Sequence, residues 1–255
     1  MARVPAALRA LLTESIDYAG LFPPAALPLA IVEERYRGFR ASPEAWMLNR
    51  LVLPVGRLAE AKLDPEWRIS LLADRDPGPV PRQVETIESK APGAFALPVY
   101  YELPLDQVQD GFAKVRTGGL TPDAIPSAEA VGAFLCAAAA RRVPFKATAG
   151  LHHPLRSVRA LTYAVDGPRA PMHGFLNVFA AAALAWHGMD EGHVAQLLEE
   201  RDAAELRFSD DDLLWNGHRV TTEQIAEARR DFAHSFGSCS FEEPVTELRG
   251  LGLLP

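Results

Sequence analysis

The sequence predicts a single (β/α) barrel of the TIM type over 1–255, and three observations point to it. Short apolar or alternating stretches bounded by Gly and Pro take turns with helix-patterned stretches along most of the chain, the mark of a parallel sheet covered by helices. Residues 112–153 read strand, helix, strand, and two strands joined by one helix of this length form a parallel unit. The 255-residue length suits a barrel. The competing open, doubly wound sheet finds no G-x-G-x-x-G or Walker sequence to support nucleotide binding.

Taken in order, residues 4–14 read as a helix with Leu8, Leu11 and Leu12 inward, and 15–21 as a first strand stopped by Pro23-Pro24. Residues 27–40 place Leu29, Val32, Tyr36 and Phe39 at helical spacing. A strand is expected at 48–55, a short helix at 56–63, a strand at 67–73 ending in Asp74, a helix at 84–90 and a strand at 95–102. After the 112–153 unit, 154–165, 173–186 and 190–200 read as helices, the last two in direct succession, so the barrel is expected to be irregular there. Residues 204–208 read as the last strand, Asn216-Gly217 as a hairpin turn, and 222–236 as a helix capped by Thr222. The tail 241–255 is expected to pack back on the domain.

The 112–153 unit also locates a site. In its first strand Ala113, Val115 and Thr117 share one face and Lys114, Arg116 and Gly118 the other. Ser127 caps the helix, with Glu129 in its first turn, and Pro144 stops it. In the second strand Phe145, Ala147, Ala149 and Leu151 form an apolar face opposite Lys146, Thr148, Gly150 and His152. Helices cover the outside of a parallel sheet, so the apolar faces lie under them and the cationic faces point to the interior. Buried cations are costly unless paired. They imply either internal carboxylates, as a plain ion network, or an anionic ligand.

Sites in barrels lie at the carboxyl ends of strands. The same face rule nominates Glu102 and Asp74 as acid/base groups, with Asp17 joining if its segment is a strand, and Arg207, Glu205 and Ser209 from the expected last strand. Arg116, Thr148, His152 and Arg207 are the candidate substrate contacts, with His173 and Asn177, which are four apart on one helix face. His152, His153 and His173 could alternatively hold a divalent ion such as Zn²⁺, although no H-x-H, H-E-x-x-H or C-x-x-C spacing is present. Without them no cofactor is implied. Cys239, between Ser238 and Ser240, is a candidate thiol with no identified partner base, and Cys136 reads as core.

Composition narrows the classes. A net charge of −7 with no Lys/Arg run argues against a nucleic-acid surface. Residues 1–12 lack the apolar core of a signal peptide, and the most apolar segment, 175–186, is too short to span a bilayer. Two cysteines demand no disulfide, and a cytoplasmic protein with no membrane partner is the expectation.

Residues 112–151 resemble the class I aldolases of the deoxyribose-phosphate aldolase type. Phe112-Ala-Lys-Val-Arg-Thr-Gly118 is similar to their F-x-K-x-x-T-G, and Phe145-Lys-Ala-Thr-Ala-Gly150 to their F-K-x-x-G-G. The resemblance implies that Lys114 forms the Schiff base and that Lys146 lowers its pKa. Leu151 replaces the family's second glycine, and His152-His153-Pro154 replaces the segment that follows. The acidic run Ser209–Asp212 stands where those enzymes hold a phosphate on glycine-rich backbone, which argues for an unphosphorylated substrate. The expectation is a lyase-like enzyme with an activated lysine, acting on a small anionic carbonyl or carboxylate compound. A metal-dependent hydrolase or isomerase using the histidines, and a non-catalytic anion-binding protein, are the competing readings.

Overall fold

A computed structural model describes residues 3–255. Eight parallel strands close into a barrel: β1 (Ile16–Tyr18), β2 (Leu48–Pro54), β3 (Ile69–Leu72), β4 (Val84–Ser89), β5 (Val99–Glu102), β6 (Phe112–Arg116), β7 (Phe145–Thr148) and, far along the chain, a strand at Ala233–Ser238 that pairs with both β7 and β1. Helix α1 (Ala6–Leu12) precedes the barrel, α2 (Leu29–Arg40) follows β1, and α3 (Ala128–Ala140) joins β6 to β7. Among the described residues no α-helix lies between Pro54 and Phe112, so one side of the barrel is covered by loops and turns.

Between β7 and the closing strand the chain makes a long excursion. It forms a hairpin of β8 (Ser157–Ala160) and β9 (Arg169–Met172), then α4 (Phe175–Trp186) and α5 (Glu191–Leu198). A small antiparallel sheet of β10 (Arg207–Phe208), β11 (Asp212–Trp215) and β12 (His218–Thr221) comes next, then α6 (Thr222–Asp231). The closing strand is therefore β13, and α7 (Glu242–Gly250) follows it.

Local chemistry explains most of these elements. Leu29, Val32, Tyr36 and Phe39 are the buried face of α2, and the Tyr36 hydroxyl donates to the Asn49 carbonyl at 2.7 Å, tying the helix to β2. The Ser127 hydroxyl accepts from Ala130 N at 3.2 Å and starts α3. Thr221, one residue before the cap expected, forms a reciprocal capping box with Gln224. Asn216 and Gly217 take positive φ of 44° and 78°, which makes the tight turn between β11 and β12. Pro122–Ala140, at 19 residues and a mean hydropathy of 1.2, is long and apolar enough to cross a membrane by length and composition alone. Here it is a turn followed by the 13-residue α3, whose apolar side packs on α4 and α5.

Five segments differ from expectation. Residues 84–90 form β4 rather than a helix, and 56–63 hold only a 3-10 turn at Val55–Arg57. The β8–β9 hairpin replaces the helix expected at 154–165. Residues 204–208 do not close the barrel, because β10 belongs to the small sheet. The second half of the helix expected at 222–236 is instead β13. The acidic run Ser209–Asp212 thus lies outside the barrel, with Ser209 and Asp210 bonded to the start of α1, and has no bearing on substrate charge.

Candidate active site

The barrel interior is unusually polar. Asp17 (β1), Ser70 (β3), Thr86 and Glu88 (β4), Lys114 (β6), Lys146 (β7) and Ser235 (β13) are all buried there, where branched aliphatic side chains are the rule. Register puts the charges in reach of one another. Lys114 is the Cα partner of Lys146 on one side and of Glu102 on the other, and Glu88 is the partner of Tyr100.

The ionic groups form one chain of alternating sign. Asp17 Oδ2 lies 2.5 Å from Lys146 Nζ, which lies 2.5 Å from Glu88 Oε1. The other Glu88 oxygen is 3.0 Å from Lys114 Nζ, and Lys114 Nζ is 2.9 Å from Glu102 Oε2. Glu102 Oε1 accepts from Arg116 at 2.8 Å. Ser235 donates to Asp17 and Ser70 to Glu88, each at 2.7 Å, and Thr86 donates to Ser70 at 3.1 Å. Three cations thus meet three carboxylates, and the set is neutral overall.

Burial opposes charge on both central groups, but their partners prevail. Desolvation would raise the Glu88 carboxyl, yet Lys146 and Lys114 hold it down to about 2. Desolvation would lower Lys146, yet Asp17 and Glu88 raise its ammonium above the ordinary lysine value. Lys146 therefore stays charged. Glu102, partly desolvated, is held below the ordinary carboxylate value by Lys114 and Arg116.

This chain floors a cavity of ≈ 290 Å³ at the carboxyl ends of the strands, lined by Glu102, Lys114, Arg116, Lys146, Thr148 and His152 among others. Six residues nominated from sequence thus come together. Four do not. Asp74 is exposed beyond β3, where its Oδ1 accepts from Lys90 N at 3.0 Å. Arg207 is exposed on β10, outside the barrel. His173 and Asn177 are fully buried but serve the scaffold rather than the cavity with His152. Asn177 Oδ1 accepts from Arg156 N at 3.0 Å, and its amide donates to Leu197 O and Glu200 O. His173 Nε2 lies 2.8 Å from the Pro126 carbonyl, and burial lowers its pKa. The shared pocket expected for His152, His173 and Asn177 is not formed, because His173 faces the turn before α3.

In the alternative metal set, the His152 and His153 rings have centroids 6.4 Å apart and His173 turns to the Pro126 carbonyl. His153 Nδ1 is 2.7 Å from Glu247, and His173 and His152 have separate partners. Among the described residues no three His, Cys, Asp or Glu side chains group as a metal site would need.

Sequence reasoning missed Glu88, the carboxylate shared by both lysines, because its segment read as a helix. It also missed what surrounds His152. Its Nδ1 lies 3.2 Å from Ser238 Oγ, 3.9 Å from Cys239 Sγ and 3.5 Å from Glu243 Oε2. Tyr163, from the segment between β8 and β9, donates to Glu243 at 2.9 Å. Burial would lower His152, but hydrogen bonding to Cys239 and Glu243 raises it to about 9. These groups lie between the lysine cavity and a second, outer cavity of ≈ 330 Å³ roofed by the hairpin.

Fold and site together define a (β/α)₈ barrel with two interior lysines bridged by one carboxylate at the carboxyl end. Comparison with known proteins adds no relative: no protein-family model, curated protein or solved structure matches the chain.

Proposed function

We propose that this protein is an imine-forming enzyme of lyase or aldolase type, with Lys114 attacking the carbonyl of a small anionic substrate. The observation that carries the reading is the sharing of Glu88 between Lys114, on the cavity wall, and Lys146, held charged beneath. An ammonium and a protonated imine carry the same charge. A site built to hold a cation at Lys114 between Glu88 and Glu102 is therefore also built to hold the iminium that replaces it.

The step balances without a further reactant. Glu102, 2.9 Å from Lys114 Nζ, takes one ammonium proton and frees the amine. The amine adds to the carbonyl carbon, the oxygen collects protons and leaves as water, and the C=N⁺H bond remains on Lys114. Lys146 stays protonated and keeps Glu88 ionised opposite the new cation. Arg116 and Lys90, 44% and 61% exposed at the rim, are placed to meet the substrate's carboxylate. This reading agrees with the resemblance of residues 112–151 to the deoxyribose-phosphate type of aldolase.

Borohydride trapping with a panel of small aldehydes and 2-oxo acids tests it. The expected result is one reduced adduct per chain, mapped to Lys114 and absent from Lys114→Arg, which keeps the internal charge. The neutral pairing of the six ionic groups supports a rival reading, in which the network only stabilises the barrel. That reading stands if no carbonyl compound in the panel is trapped.

A further inference from the structure

The opposite end of the barrel carries a separate cavity, of ≈ 640 Å³, larger than either at the carboxyl end. Its wall comes from the residues at or just before the strand starts: Glu14, Asn49, Arg50, Arg68, Glu85, Phe112 and His234, with Ala226, Arg229 and Arg230 from α6. This end of a barrel ordinarily serves stability. Two features are more than stability needs.

The first is charge. Four arginines line the cavity, in a chain whose net charge is −7; Arg230 is paired with the adjacent Asp231 at 2.6 Å, which leaves three arginines against the two carboxylates Glu14 and Glu85. Arg50 and Arg68 share Glu85, at 2.9 and 3.0 Å, and Arg68 also reaches Glu14 at 2.7 Å. Arg229 has no carboxylate partner among the described residues. Its guanidinium donates only to carbonyl oxygens: Ala233, His234 at 2.7 Å, Thr13 at 3.0 Å and Glu14 at 3.4 Å. Its Nε is buried with no acceptor. The Phe179 ring centroid lies 4.8 Å from the Arg229 guanidinium carbon, so a ring face and carbonyl oxygens rather than a paired carboxylate meet this charge, and a buried guanidinium with one donor unfilled is costly to keep. Arginine is also the side chain best shaped to receive a carboxylate.

The second is an aromatic wall. Tyr100, Phe112 and His234 pack with ring centroids 5.3, 5.8 and 6.0 Å apart. His234 is a neutral ring here. Its Nδ1 accepts from the Tyr100 hydroxyl at 2.7 Å and its Nε2 donates to the Arg230 carbonyl at 3.1 Å. Burial, and then the nearby Arg229 charge, hold it down to about 4.

We propose that this amino-end cavity is a second ligand site and that it takes an aromatic carboxylate, with the flat ring against Phe112 and His234 and the carboxylate toward Arg229 and Arg230. The volume suits a ligand of one or two rings. The site does not depend on Lys114, so it stands or falls separately from the imine chemistry.

Calorimetric titration of the full chain with 2-naphthoate, 2-naphthamide and inorganic phosphate tests the assignment. Naphthoate is expected to saturate at one per chain, at least about tenfold more tightly than the uncharged amide or the ringless anion, since both features contribute. Ala226 is exposed on α6, three and four residues before Arg229 and Arg230. Ala226→Glu places a competing carboxylate beside those arginines in a helix that tolerates it, and is expected to weaken naphthoate at least about tenfold. Arg116→Gln, at the other end, is expected to leave it unchanged. Three outcomes overturn the proposal: no saturation below about 10 mM naphthoate, equal binding of phosphate, or loss of binding in Arg116→Gln but not in Ala226→Glu.

Discussion

Glu88 is the residue on which the site turns. Among the described residues it is the one carboxylate paired with both interior lysines, one through each oxygen. Glu88→Gln keeps the shape and removes one negative charge, leaving Lys146 to Asp17 and Lys114 to Glu102. Breaking a buried pair from one side costs about 3–5 kcal/mol, so chemical denaturation is expected to show a loss near the lower end, because each lysine keeps a second carboxylate. The same change removes one of the two carboxylates that face the Lys114 nitrogen. If Lys114 forms the imine, the iminium loses that counter-charge and the yield of borohydride-trapped adduct in Glu88→Gln falls several-fold at fixed pH. An unchanged yield would show that Glu88 does not hold the iminium.

At the scale of elements, the ends of β6 and β7 are pressed together just above the two lysines. Gly150 has φ +80°, and a Cβ on it would meet the Gly118 Cα at 3.0 Å. Gly150→Ala therefore combines an unfavourable backbone with a clash against backbone, and is expected to cost about 1–3 kcal/mol. Gly237 on β13 is the control, since its added Cβ meets only Thr148 Oγ1, at 3.7 Å. Thermal unfolding of the two variants should separate them by several degrees, and equal melting would mean that the strand ends are free to part. The same two strands were the most readable part of the sequence, because each has one apolar and one cationic face. β4 was not readable for the opposite reason. Val84, Thr86, Ile87, Glu88 and Ser89 are all buried, so no polar face marks the alternation, and Val84 with Ile87 imitates helical spacing. β13 was hidden by its position. It follows a well-capped helix after a single residue, and its inward groups, Ser235 and Gly237, are too small and polar to read as core. Closure of the barrel by β13 and the identity of Glu88 thus depend on contacts with β1, β3 and β7 that no local pattern carries.

For the whole molecule, two histidines at opposite ends of the barrel impose opposite pH dependences. His234, at the amino end, has its pKa lowered from 6.5 to about 4 by burial and by Arg229. The unfolded chain takes up this proton before the folded one does, so stability from His234 is complete above pH 6.5 and is lost as pH falls toward 4. His152, at the carboxyl end, is raised from 6.5 to about 9; burial opposes the shift, and Cys239 and Glu243 outweigh it. The folded chain holds this proton longer, so stability from His152 is complete below pH 6.5 and is lost as pH rises through 9. Each limb is worth on the order of 3–4 kcal/mol at about 1.4 kcal/mol per pH unit. Together they place the stability maximum near pH 6.5. Denaturant unfolding of the parent, His152→Gln and His234→Gln between pH 4 and 9 separates the limbs by difference. The parent-minus-His152→Gln difference is expected to shrink steadily above pH 6.5, and the parent-minus-His234→Gln difference to shrink below it. A His152 difference that stays flat from pH 6.5 to 9 would mean that its imidazole is not held charged by Glu243 and Cys239. The cluster between the two carboxyl-end cavities would then act as a neutral hydrogen-bonded wall rather than an ion pair.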